Sequence, residues 1–151
     1  MGLSSKVFDQ LCSILGRDHC SRLAEDQACY AYDATRRFYP PEAVVFPKDA
    51  QDVSSVLKLA NEHGFCVTPR GAGSGMSGGS LPVKGGVAMV MTRFNRIVNI
   101  DTDNLVAIVQ PGVITGVFQK TVARKGLFYP PDPSSADFST LGGNLAECAG
   151  G

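Results

Sequence analysis

The chain has 151 residues, 44% of them apolar, and no net formal charge. This length suffices for one domain with a core, and the absence of a Lys/Arg block argues against a nucleic acid as the main partner. No apolar run reaches the ~18 residues that a membrane-spanning helix needs, so we expect a protein that does not span a membrane.

The N-terminal half predicts two helices with a strand between them. Ser5–Leu15 carries an apolar helical stripe that Gly16 can end. Residues 43–47 are an apolar run that reads as a short buried strand, stopped by its proline. Asp49 can cap the helix that follows. The apolar stripe of this second helix consists of Val53, Val56, Leu57 and Ala60.

A second strand is predicted over residues 65–68, directly after Gly64. A strand, a helix and a strand in this order normally form a parallel, right-handed unit. A glycine-rich loop leaves the second strand, at the end where α/β sheets commonly bind ligands. The next β-prone run covers residues 86–92.

The C-terminal half predicts a hairpin and two helices. Residues 96–101 and 105–110 read as strands joined by the turn sequence Asp-Thr-Asp-Asn. Residues 115–125 predict a helix with Val117, Phe118, Thr121 and Val122 on one side. A proline-rich loop follows, and residues 141–149 begin with a glycine pair that can open a further helix. Because Gly150 and Gly151 belong inside a turn, we expect the chain to be part of a longer protein.

Five cysteines occur without a C-x-x-C pair, so the spacing typical of zinc and iron–sulfur sites is absent. We expect reduced thiols in a cytoplasmic protein, most of them as small core residues.

The glycine-rich loop, residues 69–80, is the most informative segment. Its glycines let a ligand approach the main chain closely, and successive N–H groups can surround an anion. The Walker pattern is absent, because no lysine follows the glycines at the required position. A G-x-G-x-x-G pattern starts at Gly73, with Asp101 further on. That fingerprint requires a helix, and the glycines and Pro82 that follow disfavour one. A glycine-rich surface loop without a ligand is the plain alternative.

Four segments in this order carry a resemblance to a known family. They are Val67–Ser80, Val109–Val113, Pro131–Ser135 and Leu141–Gly151. Together they resemble the FAD-linked oxidases of the vanillyl-alcohol oxidase/p-cresol methylhydroxylase type, and within them the glycolate oxidase D subunit and the D-lactate dehydrogenases. The resemblance implies an α+β fold, the FAD-binding PCMH-type domain, with a small parallel sheet, antiparallel strands and flanking helices. It covers residues 43–151, truncated at the C-terminal side, after an N-terminal helical segment over residues 1–42.

The resemblance also implies which residues contact FAD. Those of the first glycine loop are Arg70, Gly71, Ala72, Gly73, Ser74, Gly75, Met76, Gly79 and Ser80. Those of the later motifs are Pro111, Gly112, Pro131, Asp132, Thr140, Gly142, Gly143, Asn144 and Ala146. From residue type alone, Arg70 can pair with a phosphate or brace the loop in a salt bridge. Ser74 can bind phosphate or cap a turn.

The implied reaction is the oxidation of a 2-hydroxy acid, glycolate or D-lactate, to the 2-oxo acid by noncovalent FAD. Residues 71–80 contain no histidine for a covalent flavin bond. Relatives carry their catalytic histidines and carboxylate-binding arginines beyond residue 151, so we assign no catalytic residue and expect weak FAD binding and no turnover from this chain alone. An iron–sulfur or accessory subunit is a candidate partner, and the inner face of the membrane a candidate peripheral location. The alternative function is a non-catalytic accessory subunit or nucleotide-binding module.

Overall fold

The structure is a computed structural model that describes residues 2–151. The helices are α1 (Ser5–Leu15), α2 (Ala24–Cys29), α3 (Ala50–His63), α4 (Thr115–Ala123) and α5 (Leu141–Ala146). The strands are β1 (Cys20–Ser21), β2 (Ala43–Val45), β3 (Val67–Arg70), β4 (Val87–Val90), β5 (Ile97–Asp101) and β6 (Val106–Val109). Each helix in this part of the chain is too short or too polar to cross a bilayer.

A four-stranded sheet in the order β1-β2-β4-β3 forms the base of the molecule. Strands β2 and β3 both run parallel to β4, while β1 pairs antiparallel with β2. The predicted strand–helix–strand unit is therefore parallel, but β4 lies between its two strands. All residues of β2 and β4 are buried, as is typical of parallel strands covered on both faces.

The first core cluster joins the N-terminal segment to this sheet. Leu11 and Leu15 of α1 pack in one cluster with Val45 of β2 and Val56 of α3. Helix α3 begins at the predicted cap, where the Asp49 carboxylate accepts from the backbone N–H three residues on. Its buried stripe differs by one position from the prediction.

The predicted stripe of α3 is wrong at Leu57, which is 43% exposed, while Leu59 is buried. Both residues lie within one helical turn of Val56. Which of the two is buried depends on the side from which α1 and the sheet pack against α3. Helix α4 shows the same kind of error. Val117, predicted on its apolar side, is 53% exposed.

Strands β5 and β6 form the predicted antiparallel hairpin. The Asp101 carboxylate accepts hydrogen bonds from the backbone N–H groups of Asp103 and Asn104, and hydrogen bonds from Asn104 lower the pKa of Asp101. A second core cluster lies beside the hairpin. Its buried members are Val113, Phe118, Val122 and Leu141.

The expectation that most cysteines fill the core is wrong. Cys12 is buried and Cys20 is half-buried, but Cys29, Cys66 and Cys148 are exposed. Burial and the neighbouring Cys12 raise the pKa of Cys20 to about 12, so that thiol stays protonated at neutral pH.

The turn into β4 requires glycine at position 86. Gly86 has a φ of 75°, and a Cβ there would overlap the backbone of Cys66. Gly64 has a similar φ of 68°, but a Cβ at that position would meet no other atom within 4 Å. A side chain at position 64 would therefore cause backbone strain alone, whereas one at position 86 would cause both strain and steric overlap.

Gly64→Ala should lower the free energy of unfolding by about 1–2 kcal/mol, the cost of a left-handed alanine. Gly86→Ala should lower it by about 2–5 kcal/mol, because overpacking against an immobile backbone adds ~1–3 kcal/mol. Urea denaturation of both variants measures the difference. Equal losses would show that the contact with Cys66 is unimportant.

Candidate cofactor site

A cavity of about 300 Å³ opens where β3 ends. Its walls come from the glycine loop after β3, from residue 111, and from the segment that contains α5. The lining residues are Asp33, Pro69, Arg70, Gly71, Ala72, Gly73, Ser74, Gly75, Ser77, Gly79, Ser80, Met91, Pro111, Ser135, Ser139, Thr140, Gly142, Gly143, Asn144, Ala146, Glu147 and Ala149.

The glycine loop contains turns and bends and no helix between residues 71 and 86. Gly73 and Gly78 have φ values of 70° and 83°, which other residues adopt at a cost. The loop therefore presents main chain to the cavity without the helix that a G-x-G-x-x-G fingerprint needs. The dinucleotide-fingerprint interpretation is rejected on this geometry.

Glycines also let the walls of the cavity approach each other. A Cβ at Gly71 would overlap the hydroxyl oxygen of Thr140, and a Cβ at Gly142 would lie 2.5 Å from the Cβ of Pro111. Distances this short do not occur between real side chains. The absence of side chains at these positions thus brings the first glycine loop and the α5 segment together around one space.

Arg70 is the positively charged residue in the lining of this cavity. The residue is 5% exposed, and its Cζ lies 5.6 Å from the ring centre of Tyr30, a cation–π distance. A Cβ at Gly73 would overlap the guanidinium, so the group lies directly against the loop. Burial lowers the pKa of Arg70, and the nearby charge of Asp33 partly opposes this shift.

The guanidinium of Arg70 has no acceptor for its buried Nη1. Within residues 2–151 the ion pair between an arginine and a carboxylate is Arg17–Asp9, and Arg70 forms none. The salt-bridge alternative for Arg70 is therefore not what the structure shows. A buried cation without an acceptor is costly, which favours an anion as its partner.

A buried polar network fixes the second glycine motif. The Thr115 hydroxyl contacts the Ser139 hydroxyl at 2.9 Å and accepts a hydrogen bond from Asn144 Nδ2 at 2.7 Å. The Thr140 hydroxyl accepts from the N–H of Gly143 at 3.2 Å and caps α5. Because Thr115 of α4 is hydrogen-bonded to both Ser139 and Asn144, the start of α5 is joined to α4 at the cavity.

Most of the residues implied as FAD contacts lie around this cavity. Those that line it are Arg70, Gly71, Ala72, Gly73, Ser74, Gly75, Gly79, Ser80, Pro111, Thr140, Gly142, Gly143, Asn144 and Ala146. The structure places Met76, Gly112, Pro131 and Asp132 outside the lining.

The surroundings of these four residues differ from those of the lining. Met76 is 77% exposed. Gly112 is buried, and a Cβ added there would overlap the carbonyl oxygens of Met91 and Phe94. The carbonyl of Pro131 and the carboxylate of Asp132 both accept from Gln119 Nε2. Their contact with FAD stays a prediction.

Sequence reasoning missed several lining residues. They are Asp33, Pro69, Ser77, Met91, Ser135, Ser139, Glu147 and Ala149. For Asp33, the Asp-x-Thr spacing signals a local turn, but nothing local shows that residues 30–35 reach the glycine loop. Glu147 lies next to predicted residues and is exposed, with its carboxylate near Gly75 and Gly79.

Thr115→Val should lower the free energy of unfolding by about 1–3 kcal/mol, because Asn144 Nδ2 would lose its acceptor inside the protein. Thr121→Val in the same helix is the matched control. Its hydroxyl only donates to the Val117 carbonyl at the surface, so a change within ~0.5 kcal/mol is expected. Thermal or urea unfolding measures both, and similar effects would argue against the network.

Comparison with known proteins agrees with this geometry. Residues 41–151 match the family described as FAD binding domain. The chain is 40% identical over 150 residues to glycolate oxidase subunit GlcD of Bacillus subtilis, covering 99% of this chain and 32% of that protein. It is 40% identical over 111 residues to D-lactate dehydrogenase of Anaerostipes hadrus, covering 74% of this chain and 23% of that protein.

Solved structures show the same fold. Alkyldihydroxyacetonephosphate synthase superposes with a TM-score of 0.90 at 24% identity, over 98% of this chain and 30% of that one. Substrate-bound p-cresol methylhydroxylase gives 0.77 at 24% identity, over 95% and 30%. The chain spans about a third or less of the length of these relatives. It belongs to the FAD-binding domain family, with the PCMH-type fold and FAD as the cofactor of that family.

Proposed function

We propose that the cavity at the end of β3 holds the diphosphate of FAD, and that the protein containing this chain oxidises a 2-hydroxy acid to the 2-oxo acid. Two relatives carry the names glycolate oxidase subunit and D-lactate dehydrogenase. Glycolate and lactate are both 2-hydroxy acids. This shared chemistry supports the substrate class without choosing between the two acids.

The observation that carries the cofactor assignment is the buried Nη1 of Arg70 without an acceptor. Hydrogen bonds between a guanidinium and a phosphate are charge-assisted and strong. A diphosphate oxygen next to the loop would satisfy the group and offset the cost of burying it. An apolar ligand would leave that cost in place.

The glycine loop supports the same ligand by its shape. A Cβ at Gly71, Gly73 or Gly142 would overlap neighbouring protein atoms at the cavity wall. Without those side chains, backbone N–H groups are accessible to a phosphate in the way that anion-binding loops require. The residues present therefore fit the diphosphate of a dinucleotide.

Two carboxylates set limits on how a diphosphate can enter. Asp33 is buried beside Arg70, and Glu147 lies at the rim near Gly75 and Gly79. Glu147 is exposed, so its side chain can turn into solvent when an anion binds. The buried carboxylate of Asp33 cannot turn into solvent in this way, so it stays close to any anion that binds beside Arg70.

Bound FAD supplies the redox chemistry, by accepting the hydride equivalent of the substrate. The role of this chain's residues is to bind and orient the cofactor. The cavity lining within residues 2–151 contains no histidine or lysine, so we expect no turnover of substrate by this chain alone. We expect its FAD binding to be weak, because the chain spans only about a third of the relatives' length. We propose that the remaining length of the relatives carries the acid–base and carboxylate-binding groups.

The finer assignments are proposals as well. A domain boundary near residue 42 is supported by the start of the family match at residue 41. A cytoplasmic location is consistent with five unpaired cysteines among the described residues. An iron–sulfur or accessory subunit and a peripheral position at the membrane remain proposals from the resemblance.

Replacement of Arg70 by methionine tests the cofactor assignment. We expect Arg70→Met to weaken FAD binding at least tenfold, since a charge-assisted hydrogen bond contributes about 1.5–3 kcal/mol. The same variant should keep or raise the stability of the ligand-free chain, because it removes a buried charge without an acceptor. Flavin fluorescence titration and urea unfolding measure the two effects.

Arg96→Met is the matched control. Arg96 is exposed and does not line the cavity, so FAD affinity should stay within twofold of the wild type. An Arg70→Met chain that binds FAD as tightly as the wild type would overturn the assignment of the diphosphate site.

A further inference from the structure

The segment of residues 30–35 contributes Asp33 to the cavity lining, although it precedes the part of the chain that matches the FAD-binding family. The N–H of Ala34 donates to the carbonyl of Gly75 at 3.3 Å, which joins this segment to the glycine loop. The Tyr30 ring lies against the Arg70 guanidinium. Asp33 lines the cavity itself.

The two oxygens of the Asp33 carboxylate have different surroundings. Oδ1 accepts from the Thr35 N–H at 2.8 Å and from the Thr35 hydroxyl. Oδ2 is buried and has no hydrogen-bond partner in the described part of the chain, while the residue is 4% exposed. No ion pair joins Asp33 to Arg70 within residues 2–151. Oδ1 therefore stabilises the turn at Thr35, and Oδ2 is left without a hydrogen-bond donor in the described part of the chain.

Resting on the proposed function, we propose that Asp33 is a specificity-determining residue: its Oδ2 accepts a hydrogen bond from a sugar hydroxyl next to the diphosphate of FAD. A free buried acceptor needs a donor. The diphosphate offers no donor at neutral pH and repels the carboxylate. The nearest donors on either side of it are hydroxyls, those of the ribityl chain and those of the ribose.

This role differs from simple charge balance for Arg70. A carboxylate that only balances charge would weaken binding of every anion, with or without sugar hydroxyls. A carboxylate that accepts from a hydroxyl would weaken binding of bare diphosphate and strengthen binding of FAD. The ratio of the two affinities separates these roles.

The variants Asp33→Asn and Asp33→Ala test the proposal in the full 151-residue chain. Asparagine keeps the Oδ1 acceptor for Thr35 and puts an amide nitrogen in place of Oδ2. Alanine removes both acceptors, and if it prevents folding the asparagine variant still answers the question. Glu147→Gln is the control, because it removes an exposed negative charge at the same cavity. Calorimetric titration measures the affinity for FAD and for inorganic pyrophosphate.

We expect the preference for FAD over pyrophosphate to fall about tenfold in the Asp33 variants, the effect of one lost hydrogen bond to a charged group. In Glu147→Gln the preference should stay within twofold of the wild type, since both ligands are anions. Preferences in both Asp33 variants that equal the wild-type value would overturn the proposal and leave the cofactor assignment intact. A wild-type chain that binds neither ligand would overturn both.

Two further ligands identify the hydroxyl. FMN carries the ribityl chain with one phosphate, and ADP carries the ribose with a diphosphate. A loss of affinity in the Asp33 variants for FMN alone assigns the ribityl hydroxyls, and a loss for ADP alone assigns the ribose. Unchanged affinity for both, together with an unchanged preference for FAD, would contradict the proposal.

Discussion

A guanidinium buried without an acceptor is the constraint on which the site depends. Arg70 lies at the end of a parallel strand and is covered by a loop of glycines on one side and the Tyr30 ring on the other. Holding this charge away from water lowers the stability of the fold. An anionic ligand would accept hydrogen bonds from the guanidinium and would offset this cost.

The density of glycines follows from the same arrangement. A Cβ would overlap a neighbouring residue at three of these glycines. The overlapping pairs are Gly71 with Thr140, Gly73 with Arg70, and Gly142 with Pro111. The contact between Gly71 and Thr140 brings together two segments that lie far apart in the chain. Glycines therefore allow the walls of the site to pack closely. The hydrogen bonds of Thr115 hold α5 in place.

Local patterns predicted most of the elements, because their signals are local. The cap at Asp49, the turn at Asp101 and the rejection of a helix after Gly73 all depend on a few neighbouring residues, and the structure confirms them. Long-range placement was not predictable in the same way. Nothing in the sequence near β4 shows that it lies between β2 and β3, or that Asp33 reaches the glycine loop.

An NMR titration of the 151-residue chain with FAD, following arginine side-chain and backbone amide signals, tests the role of Arg70 without any substitution. We expect the guanidinium of Arg70 and the amides of residues 71–75 to shift more than any others. FAD binding that leaves the Arg70 signals unchanged would contradict this role. So would the largest shifts at the apolar cavity between the β5–β6 hairpin and α4, around Ile100 and Leu127.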